Sequence, residues 1–122
     1  FKIINSDRLL QRNCTASLIE TTLNGSDAYG ILWSNVSLSA LIESIIDDTR
    51  AIGQGFGMLA TSVSESEING NQFLNTAGGT LRRGLRVVNG TRNLFTKNIA
   101  FRNGSSATEQ IEGLASGTTD FN

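Results

Sequence analysis

A chain of 122 residues is the size of one domain and can bury a core without a second. Ten basic against eleven acidic residues leave a formal charge of −1, so no net field draws the chain to nucleic acid or to a membrane surface. Histidine is absent and cysteine occurs once, at Cys14, which excludes histidine-dependent metal sites, histidine-based catalytic dyads and any disulfide within the chain.

The chain opens on the apolar run "FKII" and closes on "TTDFN", and both ends read as cut from something longer. No run approaches the ~18 apolar residues of a membrane span, and no charged-then-apolar signal segment opens the sequence. Proline is missing altogether. Turns therefore fall to Asn and Gly, as in "NGS" at 24 to 26 and 103 to 105, "NGN" at 69 to 71 and "NGT" at 89 to 91, residues that tolerate left-handed backbone.

Between these ends the sequence restates itself. A first unit starts near Arg8, with Leu9 one position on and Ile19 eleven on. The next starts at Gly30, with Ile31 and Leu41 in the same two apolar columns and the alternating run "NVSLSAL" between them. Gly57 opens a third, with Met58, Ile68 and "SVSESEI"; Gly84 opens a fourth, with Leu85 and Phe95; a fifth starts near Gly113-Leu114. The interval is 27 residues between the three central glycines, 22 before them and 29 after. Period-two alternation in short segments rich in Val, Ile, Ser, Thr and Asn is the pattern of half-buried strands rather than of helices. A coil of strands with Gly and Asn at its corners takes roughly 20 to 30 residues at about 3.3 Å per strand residue. Stacking the coils ~4.8 Å apart pairs each strand in parallel with its copy.

Polar columns run beside the apolar ones. Counting the unit start as zero, position five holds Asn13, Asn35, Ser62 and Asn89, position seven Thr15, Ser37, Ser64 and Thr91, and position nine Ser17, Ser39, Ser66 and Asn93. Side chains repeated at one place in successive coils can hydrogen-bond along the stack as ladders. With Gly30-Ile31, Gly57-Met58 and Gly84-Leu85, and with Ser44, Asn71 and Asn98 at position fourteen, the chain resembles the pectin-lyase-like right-handed parallel β-helix repeat families over residues 8 to 115. That resemblance implies an all-β, right-handed parallel β-helix of four to five coils, a single domain over residues 1–122 taken from a longer chain. A left-handed hexapeptide helix is disfavoured, since no six-residue aliphatic period occurs.

Candidate chemistry is sparse. Asp47-Asp48 in "IIDDTR" matches the paired acids with which pectin-degrading β-helix hydrolases activate water and protonate a leaving oxygen, but the hydrolase pattern also needs a histidine. A solvated turn is the preferred reading. The sequons at Asn13, Asn35 and Asn89 read first as one ladder position and those at Asn24 and Asn103 as Asn-Gly turns, and only then as glycan acceptors. Acids gather in the middle of the chain at Glu43, Asp47, Asp48, Glu65 and Glu67; Arg82, Arg83, Arg86, Arg92, Lys97 and Arg102 follow without an acid among them. Pairing between coils, as of Glu65 with Arg92, is preferred over a polyanion-binding patch. Tyr29, Trp33 and Phe56 are more readily packing than a sugar platform, and Cys14 is expected to be a small buried filler.

The resulting expectation is a noncatalytic scaffold or binding module of a larger repeat protein, exposed at a cell, virion or secreted surface. Its expected partner is a polysaccharide or protein ligand on a strand face, with end-to-end or oligomeric association. Nucleic acid, membrane, metal and cofactor are not expected. The alternative is a carbohydrate-active lyase or hydrolase whose catalytic residues lie outside these residues.

Overall fold

The computed structural model describes residues 1–20, 26–78, 81–103, 111–114 and 119–121. It is an all-β parallel solenoid. Three faces repeat around it. The first face stacks β1 (Lys2–Asp7), β4 (Ala28–Ser37), β7 (Gln54–Thr61), β11 (Leu81–Val88) and β14 (Ile111–Leu114) in that order. The second stacks β2 (Leu10–Arg12), β5 (Ala40–Ile42), β8 (Glu67–Asn69), β12 (Asn93–Thr96) and β15 (Thr119–Phe121). The third joins β3 (Thr15–Glu20), β6 (Ile45–Ala51), β9 (Gln72–Leu74) with β10 (Ala77–Gly78), and β13 (Ile99–Phe101). Among the described residues every strand partnership is parallel.

The 27-residue period holds through the middle of the stack: Ile31, Met58 and Leu85 are partners in register, as are Leu41, Ile68 and Phe95. The two outer starts need correction. Lys2 pairs with Leu32 and Thr15 with Ile45, so the first coil is offset by 30 residues, not 22, and begins ahead of Arg8. The three extra residues fall between Glu20, partner of Arg50, and Ala28, partner of Gly55. Leu9 therefore shares a column with Ser39, and Ile19 with Thr49. At the far end Leu85 pairs with Ile111, so that coil starts three residues before Gly113.

Corners are made by residues in left-handed backbone. Asn35, Leu38, Glu43 and Asp48 in the second coil have φ of 54°, 50°, 51° and 57°, and the same columns repeat at Ser62, Glu65, Gly70 and Asn75, then at Asn89, Arg92, Lys97 and Arg102. A leucine or glutamate there is strained by about 1 kcal/mol or more, so the surroundings must compensate. They do so with a polar rail. After most corners comes an inward residue whose N–H is buried, and the next coil supplies its acceptor from a side chain. Leu9, Ser39 and Ser66 donate to Ser39 Oγ, Ser66 Oγ and Asn93 Oδ1 at 3.0, 3.1 and 3.0 Å. Cys14, Ser44 and Asn71 donate to Ser44 Oγ, Asn71 Oδ1 and Asn98 Oδ1 at 3.1, 2.9 and 3.1 Å. Thr76 donates to Asn103 Oδ1 at 2.9 Å. Each Asn also returns a hydrogen bond to a carbonyl of the coil before it: Asn71 to Leu41, Asn93 to Val63, Asn98 to Ile68 and Asn103 to Phe73. An orphaned buried amide costs about 1–3 kcal/mol, so rails of this kind outweigh the corner strain.

The core lies between the three faces. Trp33, at 0% exposure, is followed in its column by Ala60 and Val87, so one large side chain is offset by small ones above it. Phe95 rests on Ile68, and Phe73 on Ile46. Gly30 and Gly57 sit where a Cβ would lie 2.6 and 2.5 Å from the carbonyl oxygen of Gly57 and Gly84 in the following coil. These glycines are dictated by the closeness of successive coils.

Candidate functional site

Asp47 leaves β6 on its outer side, between inward Ile46 and the corner residue Asp48. The two carboxylates have different partners. Asp48 is held in two-point fashion by Arg50, Nε to Oδ1 at 2.5 Å and Nη2 to Oδ2 at 3.0 Å, and this hydrogen-bonded charge raises the Arg50 guanidinium further above its ordinary value. Asp47 Oδ1 accepts the Asn75 amide at 2.7 Å. The column above Asp48 continues as Asn75 and Arg102, and Arg102 lies over the Phe101 ring at 5.2 Å. The result is a cleft of about 430 Å³ whose acids are bound by an arginine and an amide of the same sheet.

A second concavity follows the corner between the first and second faces. Its two walls are outward side chains on either side of an inward row: Arg8, Leu38, Glu65 and Arg92 on one side, and Leu10, Ala40, Glu67 and Leu94 on the other. The floor is Leu9, Ser39 and Ser66. This open groove, about 670 Å³, crosses four coils along the solenoid axis. Leu10, Leu38 and Leu94 are 64%, 48% and 42% exposed in it. Glu65 forms the ion pair with Arg92 expected from their shared column, and Glu67 accepts from Asn69 Nδ2 at 2.9 Å. Such exposed pairs contribute little to stability, about 0.2–1 kcal/mol.

The ladders lie elsewhere than expected. Position nine is real, but its Ser39, Ser66 and Asn93 are buried and bonded to backbone, so they offer nothing to a ligand. Positions five and seven remain accessible beside the groove: Asn35, Ser62 and Asn89 are exposed corner residues, and Ser37, Ser64 and Thr91 are half-buried and linked by single bridges. In the first coil the member of the position-five column is Asn5, bonded by Asn35 at 2.9 Å, and not Asn13, which occupies the corner column of Glu43.

The remaining candidates separate in the same way. Of the sequons, Asn13, Asn35 and Asn89 are exposed, whereas Asn103 is fully buried and serves as a rail residue; it cannot carry a glycan in this fold, and it is not a simple Asn-Gly turn. Asn24 lies outside the described residues. The cations of the fourth coil surround it instead of forming a patch, with Arg82, Arg83 and Arg86 on β11 and Arg92, Lys97 and Arg102 at three successive corners. Trp33 is inside, its Nε1 donating to Gln11 Oε1 at 2.9 Å. Tyr29 and Phe56 do stack, centroids 5.4 Å apart, with Arg86 over Phe56 at 6.0 Å. Phe56 is 1% exposed, so this stack presents no open platform. Tyr29 Oη donates to Asp27 Oδ2, and burial, followed by that hydrogen bond and the Asp27 charge, pushes the phenol up from its ordinary value. Cys14 is half-buried rather than a core filler: its thiol faces the Arg12 carbonyl at 3.6 Å.

What sequence reasoning missed is the groove. It could have been found from the outward residues flanking position nine, where leucines and charges replace the small polar residues of the other columns. No family model matches this chain, and searches of curated proteins and of solved structures also return no match.

Proposed function

We propose that this chain is a noncatalytic β-helix binding module, related in kind to the pectin-lyase-like repeat proteins and displayed at a cell, virion or secreted surface. Its ligand is an extended polymer lying along the solenoid axis, in the groove walled by Leu10, Leu38, Glu67 and Leu94 and beside the Asn35, Ser62 and Asn89 stripe. The observation that carries this reading is the allocation of polar groups. Ser39, Ser44, Ser66, Asn71, Asn93 and Asn103 are spent on corner amides, and Asp47 and Asp48 are held by Asn75 and Arg50. The groove is left as an accessible surface that spans several coils. A row of modest contacts repeated along a polymer gives binding without a reacting centre.

The test pairs a glycan and peptide array with incubation on pectate, alginate and chondroitin, with and without calcium, following unsaturated products and reducing ends. Binding that is lost in Ala40→Arg, which fills the groove from its outward wall, supports the reading. Turnover that disappears in Asp47→Asn/Asp48→Asn overturns it, and so does binding indifferent to Ala40→Arg.

A further inference from the structure

Asparagine loses its side-chain amide when the backbone nitrogen of the next residue attacks its Cγ. The reaction needs water at the side chain, a following residue that lets the nitrogen approach, and a peptide unit free to rotate. Among the described residues, the bonds that close the corners withhold that freedom at several accessible asparagines. After Asn13 the Cys14 amide donates to Ser44 Oγ at 3.1 Å, and after Asn75 the Thr76 amide donates to Asn103 Oδ1 at 2.9 Å. After Asn69, itself followed by glycine, the Gly70 amide donates to the Thr96 carbonyl at 3.0 Å.

Asn89-Gly90 is built differently. Asn89 is an exposed corner residue with φ of 57°. Bridges join Ser37 to Ser64 and Ser64 to Thr91, so the residues before them, Val36, Val63 and Gly90, share one inward column. Val36 and Val63 fill that column with buried branched side chains, and Gly90 has none. Among the described residues nothing accepts from the Gly90 N–H, donates to the Asn89 carbonyl or bonds the Asn89 side chain. The chain is pinned on either side instead, by the Ser62 amide on the Val88 carbonyl at 2.8 Å and by the Thr91 amide on the Val63 carbonyl at 3.0 Å. The peptide unit between Asn89 and Gly90 can therefore turn while its neighbours stay in place, because glycine accepts either sign of φ. Asn35 is the contrast in the same corner column, with φ of 54°. Its side chain donates to Asn5 Oδ1 at 2.9 Å, and the residue after it is buried Val36, whose branched Cβ resists such a turn.

We propose that Asn89-Gly90 is a site of spontaneous deamidation and isomerisation. The Gly90 nitrogen attacks Asn89 Cγ, the Cγ–Nδ2 bond breaks, and the departing amide nitrogen leaves as ammonia with the proton that Gly90 gives up. Water then opens the cyclic succinimide. Cleavage between the Gly90 nitrogen and Cγ gives aspartate; cleavage between that nitrogen and the Asn89 carbonyl carbon gives isoaspartate, with the main chain running through Cγ. Either product puts a carboxylate into the exposed stripe of Asn35, Ser62 and Asn89 beside the groove. The chemistry holds whether or not a polymer binds there.

The test is to hold the folded 122-residue chain in mildly alkaline buffer and follow it by peptide mapping and mass spectrometry. Trypsin cuts after Arg86 and Arg92, so the peptide "VVNGTR" carries Asn89 and no other asparagine. Its amide should be lost roughly ten-fold faster than that of Asn69, the factor set by a hydrogen bond that must first open at Gly70. Aspartate and isoaspartate forms of the peptide should appear together. In guanidinium the two sites should react at comparable rates, since both are Asn-Gly. Gly90→Val, which restores the residue type of its column, should abolish the loss at Asn89 and leave Asn69 unchanged. Equal loss at Asn69 and Asn89 in the folded chain, an Asn89 that stays intact until the chain is denatured, or a loss that survives Gly90→Val would overturn the proposal. Far-ultraviolet circular dichroism shows whether the variant is folded; if it is not, the comparison of folded with denatured chain decides alone.

Discussion

Asn71 shows how one residue joins three coils. Its Oδ1 takes the Ser44 amide, its Nδ2 reaches the Leu41 carbonyl and Asn98 Oδ1, and its own amide goes to Asn98. Asn71→Ala orphans several buried groups at about 1–3 kcal/mol each, so it should cost at least about 2 kcal/mol. Asn69→Ala, two residues away and directed to Glu67 at the surface, should stay within about 0.5 kcal/mol. Urea melts followed by the fluorescence of the single tryptophan, Trp33, check the difference. Tyr29 gives a second residue-level test. Its pKa is raised in the folded state, so the stability it contributes is complete below the unfolded value of about 10 and is lost as pH rises through the folded value. As the only tyrosine, it should show a phenolate absorbance midpoint above about 10. Asp27→Asn should lower that midpoint, because it removes the charge while keeping an oxygen for the Gln54 amide. A midpoint at or below about 10 in the unaltered protein would contradict the stacked, hydrogen-bonded position of the ring.

Within a strand, inward and outward residues alternate, and β12 makes the alternation measurable. Phe95 is buried on Ile68 whereas Thr96 beside it is half-buried and faces outward. Phe95→Ala should cost about 3–5 kcal/mol and Thr96→Ala much less; equal shifts in melting temperature would mean that the register is wrong. The period was legible in the sequence because Ile31, Met58 and Leu85, and Leu41, Ile68 and Phe95, are aliphatic or aromatic at a constant spacing. The first coil was misread for a physical reason. Its rail positions hold Leu9 and Cys14 where later coils hold Ser or Asn, and a count anchored on Leu9 turned an inward rail position into an apolar column. The ladder at position nine was visible as a column, but a column does not say which side of the coil it faces. The left-handed corners at Leu38, Glu43 and Arg92 carry no composition signal at all. They are imposed by the stack, not by local preference.

At the scale of the whole molecule, one economy runs through the solenoid: the inward Ser and Asn side chains are used to close corners between coils. The proposed ligand contacts fall to the outward surface, where the groove and the Asn-Ser stripe lie side by side. Amide hydrogen exchange tests this economy most directly. The Ser39 and Ser44 amides belong to the same coil but are served by different side chains of the next, Ser66 Oγ and Asn71 Oδ1. In Ser66→Ala, exchange at Ser39 should accelerate sharply while Ser44 stays protected. If both amides kept their protection, or both lost it to the same extent, the corners would be closed by something other than these rails.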